Sequence, residues 1–351
     1  MPLLIADTAN PDHRLGGEAR GSSSRPGMQI AALTLKPWLA RSAVAGQTRP
    51  VLTPAGDCAR SGAEMPRISR RTPGAAAHKP AFGVSNGRID VAVLTVRPVE
   101  LRAARDVLQT TERFMLRGNR RFYFSKVRSR HLPRSAMSVV LASSNEPHNV
   151  HAAQAVNEIV QQWRPRALFL LGIAGGDKGK VKLGDVVIPG EVHYYEPERL
   201  TEDGPEPRHD RLRVPTDMRA NLGYYYPAST GFDQDVEAFL ARLPARDRPR
   251  LPRNFQPKVV AHNAVIAAGA KLLADGRFLP HLRDRHDQRL IACDQESWGF
   301  AVGCDGSSWA IFRGISDHGD RYKDDRWQYV AACCAALCLR NFLETEYLPP
   351  G

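Results

Sequence analysis

The chain has 351 residues, enough for one large or two ordinary domains, and its 42% apolar content allows a sizeable core. Its formal net charge of +12 points toward anionic partners. That inference is weakened by distribution: 12 basic and 5 acidic residues precede or include Arg88, so seven of the twelve charges lie in the first quarter and the remainder is nearly balanced. No run approaches the roughly 20 apolar residues that span a bilayer, so a soluble protein with no membrane partner is expected. Six cysteines, at positions 58, 293, 304, 333, 334 and 338, form no CxxC pair, and no secretory signal is visible. A reduced cytoplasm is the expected compartment, with the cysteines of the run from Tyr329 to Cys338 acting as small hydrophobes rather than metal ligands.

Residues 1–86 are rich in Arg, Pro, Gly, Ser and Ala, as in Gly21-Ser-Ser-Ser-Arg-Pro-Gly, without periodic apolar positions. Such a segment cannot bury enough surface to offset the entropy of ordering it, so a disordered basic arm is expected. Nucleic-acid contact by this arm stays open, as does a translation start that truly lies at Met28 or Met65. Acidic residues at Asp7, Asp12, Glu18 and Asp57 argue against an organellar transit peptide.

From residue 87 to 351 strand and helix signals alternate, which predicts a single α/β domain. Ile89 to Val96 reads as a buried strand, and Pro98 to Leu108 as a helix opened by proline. Arg121 to Val127 and Met137 to Ala142 read as strands, and Val150 to Trp163 as an amphipathic helix. The apolar strand beginning Ala167-Leu-Phe-Leu-Leu-Gly leads into a glycine turn over Gly172 to Lys180. Further strands are expected at Asp185 to Ile188, Lys258 to Ala261, Arg289 to Ala292 and Ser308 to Ile315, and a long helix from about Trp327 to Glu344. The Pro- and charge-rich stretch from Glu196 to Pro227 is too long for a plain connector and reads as an insertion or a lid.

The glycine cluster is not a Walker A loop, because Val181 follows Lys180 where that motif needs Ser or Thr, nor does it match GxGxxG. Four segments in order carry more information. These are Val91-Ala-Val-Leu-Thr-Val-Arg-Pro-Val-Glu-Leu; Leu171-Gly-Ile-Ala-Gly-Gly continuing to Leu183-Gly-Asp-Val-Val-Ile-Pro; Cys293-Asp-Gln-Glu-Ser-Trp-Gly-Phe-Ala; and Phe312-Arg-Gly-Ile-Ser-Asp. Together they resemble the nucleoside phosphorylase and methylthioadenosine/S-adenosylhomocysteine nucleosidase family, over about Ile89 to Leu343, which implies an α/β domain of three layers with a mixed central sheet flanked by helices.

The resemblance implies cleavage of the N-glycosidic bond of a purine, expected to be adenine, in a nucleoside or nucleotide, without metal or organic cofactor. By position it gives Asp317 protonation of the base, Glu100 activation of water, Glu296 the ribose hydroxyls, and Arg313 the arrangement of water and acids. It further places Gly172, Ala174, Gly175, Gln295, Ser316 and Val265 around the substrate, Val265 where relatives stack an aromatic on adenine and Gln295 where they have methionine. A homo-oligomer is expected. Leu170 and Ile173 stand where phosphorylases of the family grip phosphate with arginine and a hydroxyl, so water is the expected attacking group. Ile173 also removes a hydroxyl that some nucleosidases use on their water.

Each carboxylate also has a structural reading: Glu100 as a first-turn acid, Glu296 as a helix surface residue, Asp317 as a cap. His262 and His318 read as satisfied polar groups. Arg321, Lys323 and Arg326, after Asp317, suit either a substrate phosphate or a solvated helix start. A phosphorylase and a catalytically silent nucleotide-binding signalling module remain the alternative functions.

Overall fold

The computed structural model describes residues 89–132, 136–252, 255–261, 264–322 and 324–349. Residues 1–86, His262 and Lys323 lie outside the described residues. Strand β1 (Val91–Thr95) is buried at every position and passes through Arg97 into helix α1 (Pro98–Leu108). Its first proline costs nothing there, since a helix has no internal partner for the N–H of that position. β2 (Met115–Arg117) and β3 (Arg120–Arg128) pair antiparallel, and β4 (Ala136–Ser143) runs antiparallel to β3 and parallel to β1. Helix α2 (Asn149–Trp163) buries Ala152, Ala155, Val156, Ile159 and Trp163, the three-and-four spacing of one helical face.

β5 (Ala167–Gly176) lies beside β1 in parallel. The chain thus moves from β1 through α1 toward β4 and returns past β1 through α2 to β5, and right-handed connections put those two helices on opposite faces of the sheet. β6 (Val186–Ile188) and β7 (Glu191–Tyr194) follow. β8 (Glu198–Thr201) and β9 (Gly204–Pro207) make a separate hairpin, and β10 (Asp210–Arg213) closes the sheet edge against β7. Helices α3 (Thr216–Gly223) and α4 (Phe232–Arg242) precede β11 (Val259–Ala261) and β12 (Val265–Ala268). Helix α5 (Phe278–His286), β13 (Leu290–Asp294), α6 (Ser297–Gly303), β14 (Ser308–Asp317) and α7 (Arg326–Thr345) complete the order.

The result is the expected mixed α/β architecture. Twelve of the described strands form one sheet whose main path is β10-β7-β12-β13-β5-β1-β4-β3-β2, with β14 beside β5 and β6. Helix α7 packs on α1, β5 and β14, and every residue from Val330 to Leu339 is buried. A helix that is apolar on all sides belongs inside. Its small residues let it approach closely: a side chain on Gly314 of β14 would overlap the Ala331 carbonyl. Burial pushes the thiols of Cys334 and Cys338 up to about 12, so they are protonated packing groups. No helix among the described residues is long and apolar enough to cross a membrane.

Two expectations change. The glycine turn begins later than expected: Gly172 to Gly176 continue β5, and the chain turns only at Lys178 to Lys180. Its glycines answer to crowding: a side chain on Gly172 would overlap the Glu100 carboxylate and the Arg313 guanidinium. The stretch from Glu196 to Pro227 is no lid, since it builds the β8–β9 hairpin, the edge strand β10 and α3, and none of it lines the cleft described next.

Candidate active site

A cleft of about 250 Å³ opens where strands β1, β5, β13 and β14 end. It lies just below the roughly 300–1,000 Å³ common for small-molecule sites. Glu100 reaches it from the first turn of α1 and is buried. One carboxylate oxygen, Oε2, accepts the backbone N–H groups of Val96 and Arg97, both at 2.8 Å, and Oε1 accepts that of Ile173 at 2.9 Å. Three donors, two just past the end of β1 and one within β5, fix its orientation. Asp294 ends β13 and accepts Ser297 N at 3.1 Å and Ser297 Oγ at 2.5 Å. Glu296, two residues on, stands at the start of α6 and is buried.

Asp317 arrives by a different device. β14 follows β5 in register until Ile315 faces Ala174, and then Asp317 faces Gly175, leaving Ser316 as an extra residue. Such bulges re-aim a side chain beside active sites. Here the Asp317 carboxylate lines the cleft, accepting Gly319 N at 2.8 Å and Ser316 Oγ at 3.2 Å.

Arg313, on the same strand, is fully buried behind this group. Its Nε donates to Asp294 Oδ2 at 2.7 Å, its Nη2 reaches Asp294 Oδ2 at 2.6 Å and Glu296 Oε2 at 3.0 Å, and its Nη1 lies 3.6 Å from Glu100 Oε1. One cation thus serves three carboxylates. Burial raises the pKa of Glu296 to about 7, opposed by Arg313 and assisted by the charges of Asp294 and Glu100.

That shift has a stability signature. The folded state keeps the Glu296 proton up to about pH 7, whereas the unfolded chain releases it near its ordinary 4.5. The folded state therefore binds more protons between those values, and this group's contribution to stability falls as pH rises through that window and is flat above it. Melting temperatures of wild type and Glu296→Gln across pH 4.5 to 7.5 should diverge in slope, with the variant losing this component. Parallel slopes would contradict the assignment.

Of the positions read from the sequence, Glu100, Ala174, Gly175, Gln295, Glu296, Ser316 and Asp317 line one cleft. Gly172 sits behind Glu100 without lining it, and Arg313 acts only through the carboxylates it holds, so it is a positioning residue. Val265 is misplaced: it is a fully buried residue of β12, packed with Leu279, Leu282 and Leu290, and cannot touch a substrate. His318 is a satisfied polar group, its Nδ1 3.1 Å from the Gly176 carbonyl oxygen. Arg321 lies against Tyr322 and Arg326 pairs with Asp324, both outside the cleft lining. Sequence reasoning assigned no role to Asp294, although an acid two residues before Glu296 at a strand end was a readable signal. It also missed Arg97, Tyr195 and Lys271, which line the cleft from loops.

A family model described as the phosphorylase superfamily matches residues 90–344. The ATP nucleosidase Cap17 of Escherichia coli is 30% identical over 273 residues, covering 74% of this chain and 52% of that protein. The chain therefore spans about half the length of the curated relatives it matches. Among solved structures, a 5'-methylthioadenosine/S-adenosylhomocysteine nucleosidase from Neisseria meningitidis, in complex with methylthio-immucillin-A, superposes with a TM-score of 0.52 at 18% identity over 73% of this chain and 98% of that one. The futalosine hydrolase of Helicobacter pylori strain 26695 gives a TM-score of 0.52 at 14% identity, over 72% and 97%. These two likenesses speak to the fold. The family match takes in every strand and side chain that builds the cleft, and the chain belongs to the phosphorylase superfamily.

Proposed function

We propose that the chain hydrolyses the N-glycosidic bond of a purine nucleoside or nucleotide, releasing the free base. Breaking that bond leaves positive charge on the ribosyl group and a base that departs poorly as an anion, so the reaction needs a proton donor at the base and a nucleophile on the sugar's other side. In this reading Asp317 protonates the ring, Glu100 orients and deprotonates water, and Glu296 holds the ribose hydroxyls. Arg313 positions Glu100 and Glu296 and anchors Asp294. The observation that carries the reading is the convergence of three carboxylates, drawn from α1, the β13–α6 junction and β14, on one cleft.

Water as the attacking group is supported by the wall of β5, where Leu170 is fully buried and Ile173 lines the cleft without a hydroxyl. The ATP nucleosidase at 30% identity supports an adenine base. The free, buried thiols of Cys304, Cys333, Cys334 and Cys338 suit a reducing, cytoplasmic compartment. The test is a panel of adenosine, methylthioadenosine, guanosine, AMP and ATP, incubated with the protein with and without inorganic phosphate and assayed for free base. Adenine should appear in phosphate-free buffer. Turnover that requires phosphate would favour a phosphorylase, and binding without turnover a silent module.

A further inference from the structure

Two cations line the cleft that the chemistry above does not use, Arg97 and Lys271. Arg97 precedes Pro98 and is held extended, with φ −87° and ψ 152°, as the proline ring requires of its neighbour. Its side chain therefore leaves the backbone at the end of β1, three residues from Glu100. Arginine suits this place poorly on local grounds: a guanidinium has no acceptor for the first N–H groups of α1, and its charge faces the positive end of the helix dipole. Among the described residues no carboxylate pairs with it, because the acids of the floor are served by Arg313.

Lys271 comes from the connection after β12, which is fixed on both sides. Ala270 N donates to Glu196 Oε2 at 2.9 Å, and Gln295 Nε2 donates to the Ala270 carbonyl at 2.7 Å. A side chain on Gly269 would overlap the Tyr195 ring, so the loop lies directly on it. Lys271 Nζ is 5.6 Å from the centroid of that ring and 3.8 Å from Glu196 Oε1.

We infer that the cleft takes a purine nucleotide in preference to a nucleoside, with Arg97 and Lys271 holding the 5′-phosphate. This rests on the glycosidase reading above. A guanidinium fork matches two phosphate oxygens and an ammonium supplies a point charge. A nucleoside, ending in a neutral hydroxyl, leaves Arg97 without a counter-charge and Lys271 with only Glu196. Inorganic phosphate shares this chemistry as an attacking group, so the test separates the two sources.

The full chain is assayed for base release from AMP, ATP and adenosine, with and without inorganic phosphate, as wild type, Arg97→Gln, Arg97→Lys and Lys271→Ala. Losing one charged hydrogen-bonding partner should shrink the AMP-over-adenosine preference in kcat/KM by about ten-fold or more, mainly through KM for the nucleotide. Arg97→Lys should restore part of it, and the wild-type preference should weaken with added salt. Adenosine turnover in the same variants reports that they fold. A wild type that prefers adenosine overturns the inference, and so do substitutions that lower AMP and adenosine turnover in equal proportion. Phosphate-dependent turnover yielding ribose 1-phosphate, with both substitutions raising the half-saturating phosphate concentration, overturns it by assigning the cations to the attacking group. Release of base from no substrate instead removes the glycosidase reading beneath it.

Discussion

Asp317→Asn should lower kcat for base release by about 10² to 10⁴, the usual contribution of a positioned general acid. Asparagine is nearly isosteric with aspartate. Its carbonyl oxygen can still accept Gly319 N, and its amide can still meet Ser316 Oγ, so the bulge that aims this side chain is kept. What is lost is a transferable proton. KM and the melting temperature should therefore change little, and substrate should bind without turning over. A loss in kcat smaller than about ten-fold would place the proton donor elsewhere. A loss accompanied by a collapsed melting transition would assign Asp317 the structural role of capping Gly319.

Arg313→Met is expected to be the most destabilising single change in the cleft, by about 3–5 kcal/mol, because breaking a buried ion pair leaves uncompensated charge in the interior. Methionine keeps the apolar stem of the buried arginine but stops short of its guanidinium and gives Glu100, Asp294 and Glu296 no counter-charge. Urea unfolding monitored by tryptophan fluorescence measures the loss directly. Arg313→Lys keeps a charge but not the fork, and a single ammonium cannot span the three carboxylates that Nε, Nη1 and Nη2 now face. It should fold and show impaired turnover. Near-wild-type stability in Arg313→Met would mean that the carboxylates are neutralised in another way.

The strands and helices that read most clearly from the sequence are those whose burial is uniform. β1, β5 and β14 are continuous apolar runs, and α7 is a long apolar helix, so composition alone marks them. β7 escaped because two of its four residues are Glu191 and His193, both buried. Glu191 is compensated by Arg211 at 3.0 Å, Arg213 at 3.4 Å and Arg289 at 3.6 Å, partners contributed by distant segments. The His193 ring lies against those of His209 and His286, and burial together with their charges lowers its pKa to about 4. No local pattern can show such compensation.

The glycine cluster misled for a related reason. Turn chemistry is the commonest reason for consecutive glycines, but Gly172 is required by what lies across from it, Glu100 and Arg313. Val265 was misassigned because its strand alternates toward a small apolar cluster under α5, a fact of packing that spacing does not encode. The carboxylates were legible because each sits beside a strand end in a recognisable string. Arg97 and Lys271 lie in loops, and only the folded chain brings them to the same space.

Whether the carboxylates of this cleft drive attack by water on the sugar is read from the origin of the new oxygen. The full chain is incubated with AMP and adenosine in water enriched in oxygen-18, containing inorganic phosphate of normal isotope content, and the sugar product is reduced with borohydride within the first turnovers, before its anomeric oxygen exchanges with solvent, and analysed by mass spectrometry. Free ribose or ribose 5-phosphate carrying one heavy oxygen at C1′ is expected, at a rate independent of the phosphate concentration and nearly abolished in Asp317→Asn. A ribose 1-phosphate product without the label, formed only when phosphate is present, would contradict it.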